Sequence, residues 1–447
     1  MRAALQHPVY RRLFTAQVVA LLGTGLATIA LALLAHDLAG PQAGSVLGTA
    51  LAIKMIAYVA VAPIAGAVAA RLPRRRLLIG LDLVRAGVIL ALPFVDQVWQ
   101  IYLLIFVLQS ASAAFTPAFQ ATIPDILEDE RTYTEALSLS RLAYDLENLI
   151  SPMLAGLLLL FLTFHLLFVG TAIGFVISAL LVASVTLPSR RDVAATSFGE
   201  RMTRGLRIFL HTPRLRALGA LNFAVAAGGA AVLVNSVVYV RERLGYGETE
   251  LALTMATFGL GSMALALLVP RLLDHLPERR VMLAGAWLTS AALLATPWVA
   301  TTWPGLLLLW LVLGAGNGAM LTPAGRLLRR SAASADRPAV FSAQFSLSHA
   351  CWLITYPLAG WAGSALGLDV AALLLLGIAL PASVAAVAAW PRQDADEVTH
   401  VHTDLAPDDP HIRDAVNCER GYRHTHELYI DDRHAHWPTA DDEVKSR

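Results

Sequence analysis

Between residues 136 and 163 an otherwise apolar stretch carries Arg141, Asp145, Glu147 and Asn148, and a second apolar stretch carries Lys54, one of two lysines in the chain. An ionisable group in hydrocarbon costs about 2.5–3.5 kcal/mol even on a lenient insertion scale, so each such group must face protein or water and is a functional candidate. At about 100° per residue, Arg141, Asp145, Asn148 and Pro152 share one helical line, while Ser140, Tyr144, Glu147 and Ser151 form a neighbouring stripe. Asp145 and Glu147 thus read as carboxylates that handle a proton or cation, with Arg141 biasing Asp145 across an i to i+4 pair. An equally good reading of Arg141 and Asp145 is an internal ion pair that locks this helix to a neighbour. Glu147 has no obvious partner on its own helix. Lys54 reads either as a coupling group or as a structural tie to an acid on another helix.

The second half of the chain offers uncharged polar groups in apolar surroundings: Asn222, Asn235, Asn317, Gln344 and His349. Near Cys351 and Trp352, His349 could line a cavity, where a neutral imidazole binds transition metals; packed and hydrogen-bonded, it would be structural. The last 56 residues, 392–447, hold 7 of the 13 histidines. Six form the pairs His400/His402, His424/His426 and His434/His436, with His411 and Cys418 between them. Imidazole, thiolate and carboxylate suit Ni, Zn, Co or Cu, although the spacing matches no zinc-finger pattern. A plain solvated tail is the alternative, and its polar, acidic composition predicts disorder or weak local structure. No cofactor is required by these residues beyond metal binding by the tail. Two cysteines make no disulfide framework, and no GxxxxGK[ST] loop is present for an ATP-driven pump.

The elements that must position these groups are membrane helices. Of 447 residues 56% are hydrophobic and 15% charged, where a soluble domain carries roughly 25% charged residues. A hydrocarbon core about 30 Å thick takes roughly 20 apolar residues of helix, and twelve such blocks occur, at 13–36, 46–70, 77–95, 98–121, 136–163, 166–187, 215–240, 250–273, 281–300, 303–325, 339–366 and 370–390. The first is longer than a signal-peptide core, and eleven spans follow it, so it reads as a membrane helix. Arginine gathers at 71–76, 190–216, 271–280 and 326–337, while the alternate loops lack Lys and Arg except for Arg241 and Arg243. Basic loops stay cytoplasmic, which puts both termini there. The net charge of +1 divides into +8 for the body and −7 for the tail, which gives no footing for nucleic acid.

The chain also repeats itself. LPRRRLL at 72–78 returns as LPERRVM at 276–282, Pro93 and Trp99 return as Pro297 and Trp303, and Thr116-Pro117-Ala118 returns as Thr322-Pro323-Ala324, at offsets of 204 to 206. Six spans per repeat, an even number, give the two halves the same orientation, related by an axis along the membrane normal. The expected organisation is a six-helix half at 1–187, a basic linker at 188–213 with a short amphipathic helix, a second half at 214–391 and the tail at 392–447.

At this point the sequence resembles the major facilitator superfamily over residues 7–391, and within it the branch of drug and siderophore exporters that includes the enterobactin and macrolide exporters. The family's loop signature G-x-x-x-D-R-x-G-x-R-R appears as Gly66, Ala70, Arg71, Pro73, Arg75 and Arg76, with Ala70 for the usual Asp and Pro73 for the usual Gly. In the second half the frame reads Pro270, Asp274, His275, Pro277, Arg279 and Arg280. The exporter branch is suggested by Asp82-Leu83-Val84-Arg85, by FTPAFQATIPD at 115–125, and by Ser151-Pro152 with Gly156. The tail is similar to that of nickel-resistance permeases. The resemblance implies an all-α membrane protein of the major facilitator fold, not an enzyme, working by alternating access in a bacterial inner membrane. It also implies that Gly66, Arg71, Arg75, Arg76, Asp82, Arg85, Asp274, Arg279 and Arg280 belong to a cytoplasmic latch. Asn148, Asn222, Asn317, Gln344 and His349 are expected in the central cavity. The expected partners are the lipid bilayer, protons and a small hydrophobic drug or siderophore-like cargo, in a monomer. A divalent metal such as nickel or cobalt, or its chelate, is the rival cargo, and a non-transporting metal sensor is the rival class.

Overall fold

Apolar blocks of this length satisfy their backbone in hydrocarbon by closing hydrogen bonds within each block, as helix. In the computed structural model, residues 2–39, 43–69, 72–188, 198–392, 394, 397–402, 409–418, 421–431, 433, 434 and 437 are described. A short α1 (Arg2–Gln6) precedes α2 (Pro8–Ala39), α3 (Ala43–Ala69), α4 (Arg74–Ala91), α5 (Val98–Gln120), α6 (Glu130–Leu159) and α7 (Phe164–Ala183). After α8 (Phe198–His211) come α9 (Pro213–Val237), α10 (Glu248–Leu273), α11 (Glu278–Val299), α12 (Trp303–Leu321), the short α13 (Ala324–Arg330), α14 (Arg337–Ala365) and α15 (Leu368–Ala389). Among the described residues, nine helical stretches are long and apolar enough to cross a membrane, and α3 is apolar over Ala52–Ala65. The remaining long helices, α6 and α14, are the ones interrupted by the charged and polar groups singled out above.

Helix positions follow the apolar blocks, with α6 as the instructive departure. Its apolar block begins at 136, yet the helix starts at Glu130 with Asp129 as its cap, accepting from the Thr132 backbone N–H at 2.8 Å and its hydroxyl at 2.6 Å. Those two bonds hold the Asp129 carboxyl below its ordinary range and satisfy helix N–H groups that hydropathy cannot register. Arg243, out of place by the charge rule, forms a 2.5 Å ion pair with Asp369.

The repeat is visible in contacts. The guanidinium of Arg75 donates to the Ala183 carbonyl at the end of α7, and Arg279 donates to the Val387 carbonyl at 3.4 Å and to that of Trp390 at 3.2 Å at the end of α15. Ser178 donates to Asp82 at 2.8 Å, and its counterpart Ser383 lies 3.2 Å from Ser290. Helices α10 and α12 touch backbone to backbone: a Cβ added at Gly314 would collide with the Phe258 carbonyl, and one at Gly261 with the Leu311 carbonyl.

Strands β1 (Glu397–His402), β2 (Val416–Cys418) and β3 (Gly421–Glu427) form an antiparallel sheet in the order β1-β3-β2. The expectation of disorder after residue 392 therefore fails for these segments. Composition counted the charges but not the alternation: His-x-His is a period-two pattern that sets both rings on one face of a strand. The register places His400 opposite His424. Leu428 and Ile430 are buried, and Ile430 and Trp437 pack into the hydrophobic core built on α9, α11, α12, α14 and α15.

Candidate functional site

A cavity of about 380 Å³ lies between the two sets of helices. One wall comes from α3, α5 and α6, with Tyr58, Thr116, Gln120, Ser140, Arg141 and Tyr144; the other comes from α9 and α12–α14, with Asn222, Thr322, Phe345, Ser348, His349 and Trp352 among its residues. Among the described lining residues no carboxylate occurs, and Arg141 is the one charged side chain. Its Nε donates to Asp145 at 3.2 Å and to Ser262 of α10 at 3.0 Å, so the guanidinium is neutralised beside the cavity and ties α6 to α10. Asn222 and Gln344 exchange two amide hydrogen bonds, of 3.1 and 3.0 Å, across α9 and α14. Nδ1 of His349 lies 2.7 Å from the Phe345 carbonyl, and its ring stands edge-on to Tyr58 with centroids 4.6 Å apart. Asn317 is buried in α12 and is not part of the lining. Asn148 belongs to α6, but its side chain is outside the described part.

Tyr58 and Tyr144 close one end of this cavity. One turn beyond Tyr58 on α3 stands Lys54, its ammonium 5.6 Å from the Tyr58 ring centroid; one turn beyond Tyr144 on α6 stands Glu147. These two opposite charges interact electrostatically across the helices, in the middle of α3 and α6. Tyr58 also donates to Gln109 of α5 at 2.9 Å, and Ser140 donates to Gln17 of α2 at 3.2 Å. An acid–base pair thus sits in an apolar body, one layer of tyrosine away from the cavity.

At the other end of the cavity the two sets of helices are tied by ion pairs. Asp125, after α5, accepts from both Arg74 of α4 and Arg337 of α14. Arg326 of α13 binds Glu130 of α6 and lies 2.9 Å from Glu278 of α11, which also accepts from Arg330 at 3.1 Å. Arg329 donates to the Glu128 carbonyl, Tyr133 donates to the Gly325 carbonyl at 3.2 Å, and Arg131 stands 3.6 Å from Asp274. One position related by the repeat carries opposite charges here, Arg74 against Glu278. Across this end Asp125 and Glu130 of the first set meet Arg337 and Arg326 of the second, and Arg131 faces Asp274 in the reverse sense.

The residues of this ion-pair cluster are not those the resemblance assigned to a latch, apart from Asp274. Asp82 and Arg85 bind each other inside the first set, with Arg85 over the rings of Phe115 at 4.0 Å and Phe175 at 4.5 Å. Arg75 and Arg279 brace the ends of α7 and α15, Arg76 and Arg280 are exposed, and Gly66 lies in α3. Arg71 lies outside the described residues. The acids that carry these ion pairs, Asp125, Glu130 and Glu278, escaped the sequence reading, although Asp125 closes the FTPAFQATIPD segment.

Beside this end, His400, His402, His411, His424 and His434 bring one ring nitrogen each to within 4.8 Å of all the others, a cluster that could hold a metal ion. Nε2 of His400 is 3.1 Å from that of His402, 3.1 Å from that of His434 and 3.2 Å from that of His424. Burial and the neighbouring imidazoles pull His424 down to about 4 and lower His411 from its ordinary value. Cys418 stands apart, its thiol donating to the Gly421 carbonyl at 3.3 Å. His436 lies outside the described residues.

Comparison with known proteins bears on the whole helical body. Uncharacterized MFS-type transporter YfiS of Bacillus subtilis (strain 168) is 24% identical over 284 residues, 60% of this chain and 66% of that protein. Macrolide efflux protein A of Streptococcus pyogenes is 26% identical over 181 residues, 39% of this chain and 44% of that protein. The chain thus spans just under two thirds of the length of the first of these relatives and less than half of the second. Among solved structures, the human organic anion transporter MFSD10 (TETRAN) superposes with a TM-score of 0.74 at 14% identity, covering 85% of this chain and 99% of that one. A bacterial homologue of the iron transporter ferroportin, in an outward-facing state, gives 0.69 at 15% identity with the same coverage. The sequence profile described as Major Facilitator Superfamily matches residues 13–247 and 218–413, and the chain belongs to that superfamily of membrane transporters.

Proposed function

We propose that this transporter exports small, largely apolar organic molecules of the drug or siderophore-like class, driven by proton entry. The observation that carries this reading is the cavity between the two sets of helices, lined by tyrosine, phenylalanine, tryptophan, amides and hydroxyls, with no carboxylate among its described residues. Such a lining wets poorly and stacks on apolar cargo, with a few polar groups to orient it. The distant relationship to macrolide efflux protein A points the same way. A divalent metal as cargo finds support in the histidine cluster alone, which lies outside the helical body, and the cavity offers it one imidazole, His349.

Glu147 is the proton carrier in this scheme and Lys54 its counter-charge. Ionised Glu147 pairs with the ammonium; taking up a proton removes that attraction and lets α3 and α6 shift relative to each other. The halves 1–187 and 214–391 rock about the cavity, with 188–213 as their linker, 392–447 as a cytoplasmic appendage, and the latch on the cytoplasmic side where the arginines gather.

Proteoliposomes with an imposed pH gradient test the reading directly. Transport of a fluorescent lipophilic dye or a macrolide should follow the gradient and collapse with a protonophore. Glu147→Gln should keep downhill exchange of cargo and lose uphill transport. Uphill transport by Glu147→Gln, or indifference of the wild type to the gradient, would refute proton coupling through this residue.

A further inference from the structure

Six histidine rings converge between β1, β3 and the segments that follow β1 and β3. Around Nε2 of His400 the nitrogens of His402, His424 and His434 lie at 3.1–3.2 Å, and that of His411 is 3.2 Å from that of His434. A neutral imidazole nitrogen carries either one proton or one lone pair, so a nitrogen facing three others cannot satisfy them all by donating. The spacing is instead that of ligands around one ion: metal–nitrogen bonds of about 2.0–2.1 Å put neighbouring ligands roughly 3.0–3.4 Å apart.

The outer shell agrees. Asp431 accepts from Nδ1 of His434 at 3.0 Å and from its backbone N–H at 2.6 Å, which fixes that ring with its Nε2 lone pair turned to the cluster. The His426 ring packs 4.7 Å from His424 and 4.8 Å from His400, with its Nε2 buried and without a hydrogen-bond partner. It stands as a sixth ligand in reserve. An all-imidazole set of this size selects a divalent first-row transition ion over Mg or Ca.

The strand that supplies His424 and His426 runs straight on to the latch. Glu427 and Tyr429 share a cavity of about 240 Å³ with Glu130, Arg326, Arg329, Arg330 and Arg337. Ile430 is buried in the helical core, and Asp431 borders α8 with Arg204 and Arg207. Residues 424–434 therefore touch the metal cluster at both ends and the latch arginines in between.

We propose that this cluster binds a divalent transition metal as a regulatory ligand, and that the bound ion holds Glu427 and Tyr429 against the latch and so stabilises the latched state. The regulatory half of this rests on the chain being a transporter with a moving latch; the binding half does not. The full chain, purified in detergent and stripped with a chelator, is titrated with NiCl2 and with ZnCl2 in a calorimeter. The expected result is saturable binding of about one equivalent, lost in His400→Ala/His434→Gln and weakened about tenfold or more in Asp431→Asn. Spin labels at Leu72→Cys and His275→Cys, with Cys351→Ala and Cys418→Ser, then report the distance across the latched end, and metal should narrow its distribution only when the histidines are present. Absence of saturable binding, or binding untouched by the histidine substitutions, overturns the site. Binding that leaves the distance distribution unchanged overturns the regulation. Neither readout needs cargo, so failure of dye export would count against the transport reading alone.

Discussion

Asp125 holds two guanidiniums at once, Arg74 from its own set of helices and Arg337 from the other, and all three side chains are largely withdrawn from water. Removing the shared acid strands two cations beside each other, which costs about 3–5 kcal/mol in partly dry surroundings. Asp125→Asn should lower the melting temperature in detergent and raise the labelling rate of a Gln120→Cys reporter in the cavity, whereas Arg280→Ala, at an exposed position, should change neither. A milder effect is expected at Asp129, whose carboxyl is held below its ordinary range by Thr132. A depressed carboxylate stabilises the folded state above the unfolded pKa and loses that contribution as pH falls through the folded value. Asp129→Ala should therefore cost about 1 kcal/mol near neutrality and lose its effect in acid, as read from melting curves of the two proteins at both pH values. These residues also mark the limit of reading a sequence. The membrane charges Arg141, Asp145, Glu147 and Lys54 announce themselves by being expensive, but the Arg337–Asp125 bond joins positions 212 apart, and nothing local marks either partner among so many surface charges.

Elements were more legible than contacts. Twelve apolar blocks give twelve long helices among the described residues because hydrocarbon leaves the backbone no alternative, and α6 starts early because a cap answers to hydrogen bonding rather than hydropathy. The backbone contact of α10 with α12 could not be anticipated from its glycines, since Gly80 and Gly87 in α4 face open space while Gly261 and Gly314 face carbonyls. Gly314→Ala should force these helices apart at about 1–3 kcal/mol, lowering the melting temperature and the monodisperse yield. Gly80→Ala should be neutral or slightly stabilising, because alanine favours helix and meets nothing there. The tail sheet was missed because Ile430 and Trp437 pack against the core of the helical body, a support that is not inherent in the tail's own composition.

For the whole molecule, the tail and the helical body are one structure. Asp394 accepts from Arg214 at 3.2 Å and from the indole of Trp390 at 3.0 Å, deep against α9 and α15. A chain ending at Pro391 should keep its helical content yet melt at a lower temperature, since the buried guanidinium of Arg214 loses this acid and the core loses Ile430 and Trp437. Circular dichroism with a thermal ramp measures both. The unequal sharing of charge across this end, with Asp125 and Glu130 on the first half and Arg326 and Arg337 on the second, has a consequence for assembly. Two copies of the first half would bring Asp125 and Glu130 against themselves, and two copies of the second would oppose Arg326 to Arg326. Self-pairing is thereby repelled while unlike halves attract, so the two halves, made as separate polypeptides in one membrane, would sort into heterodimers without any linker to introduce them.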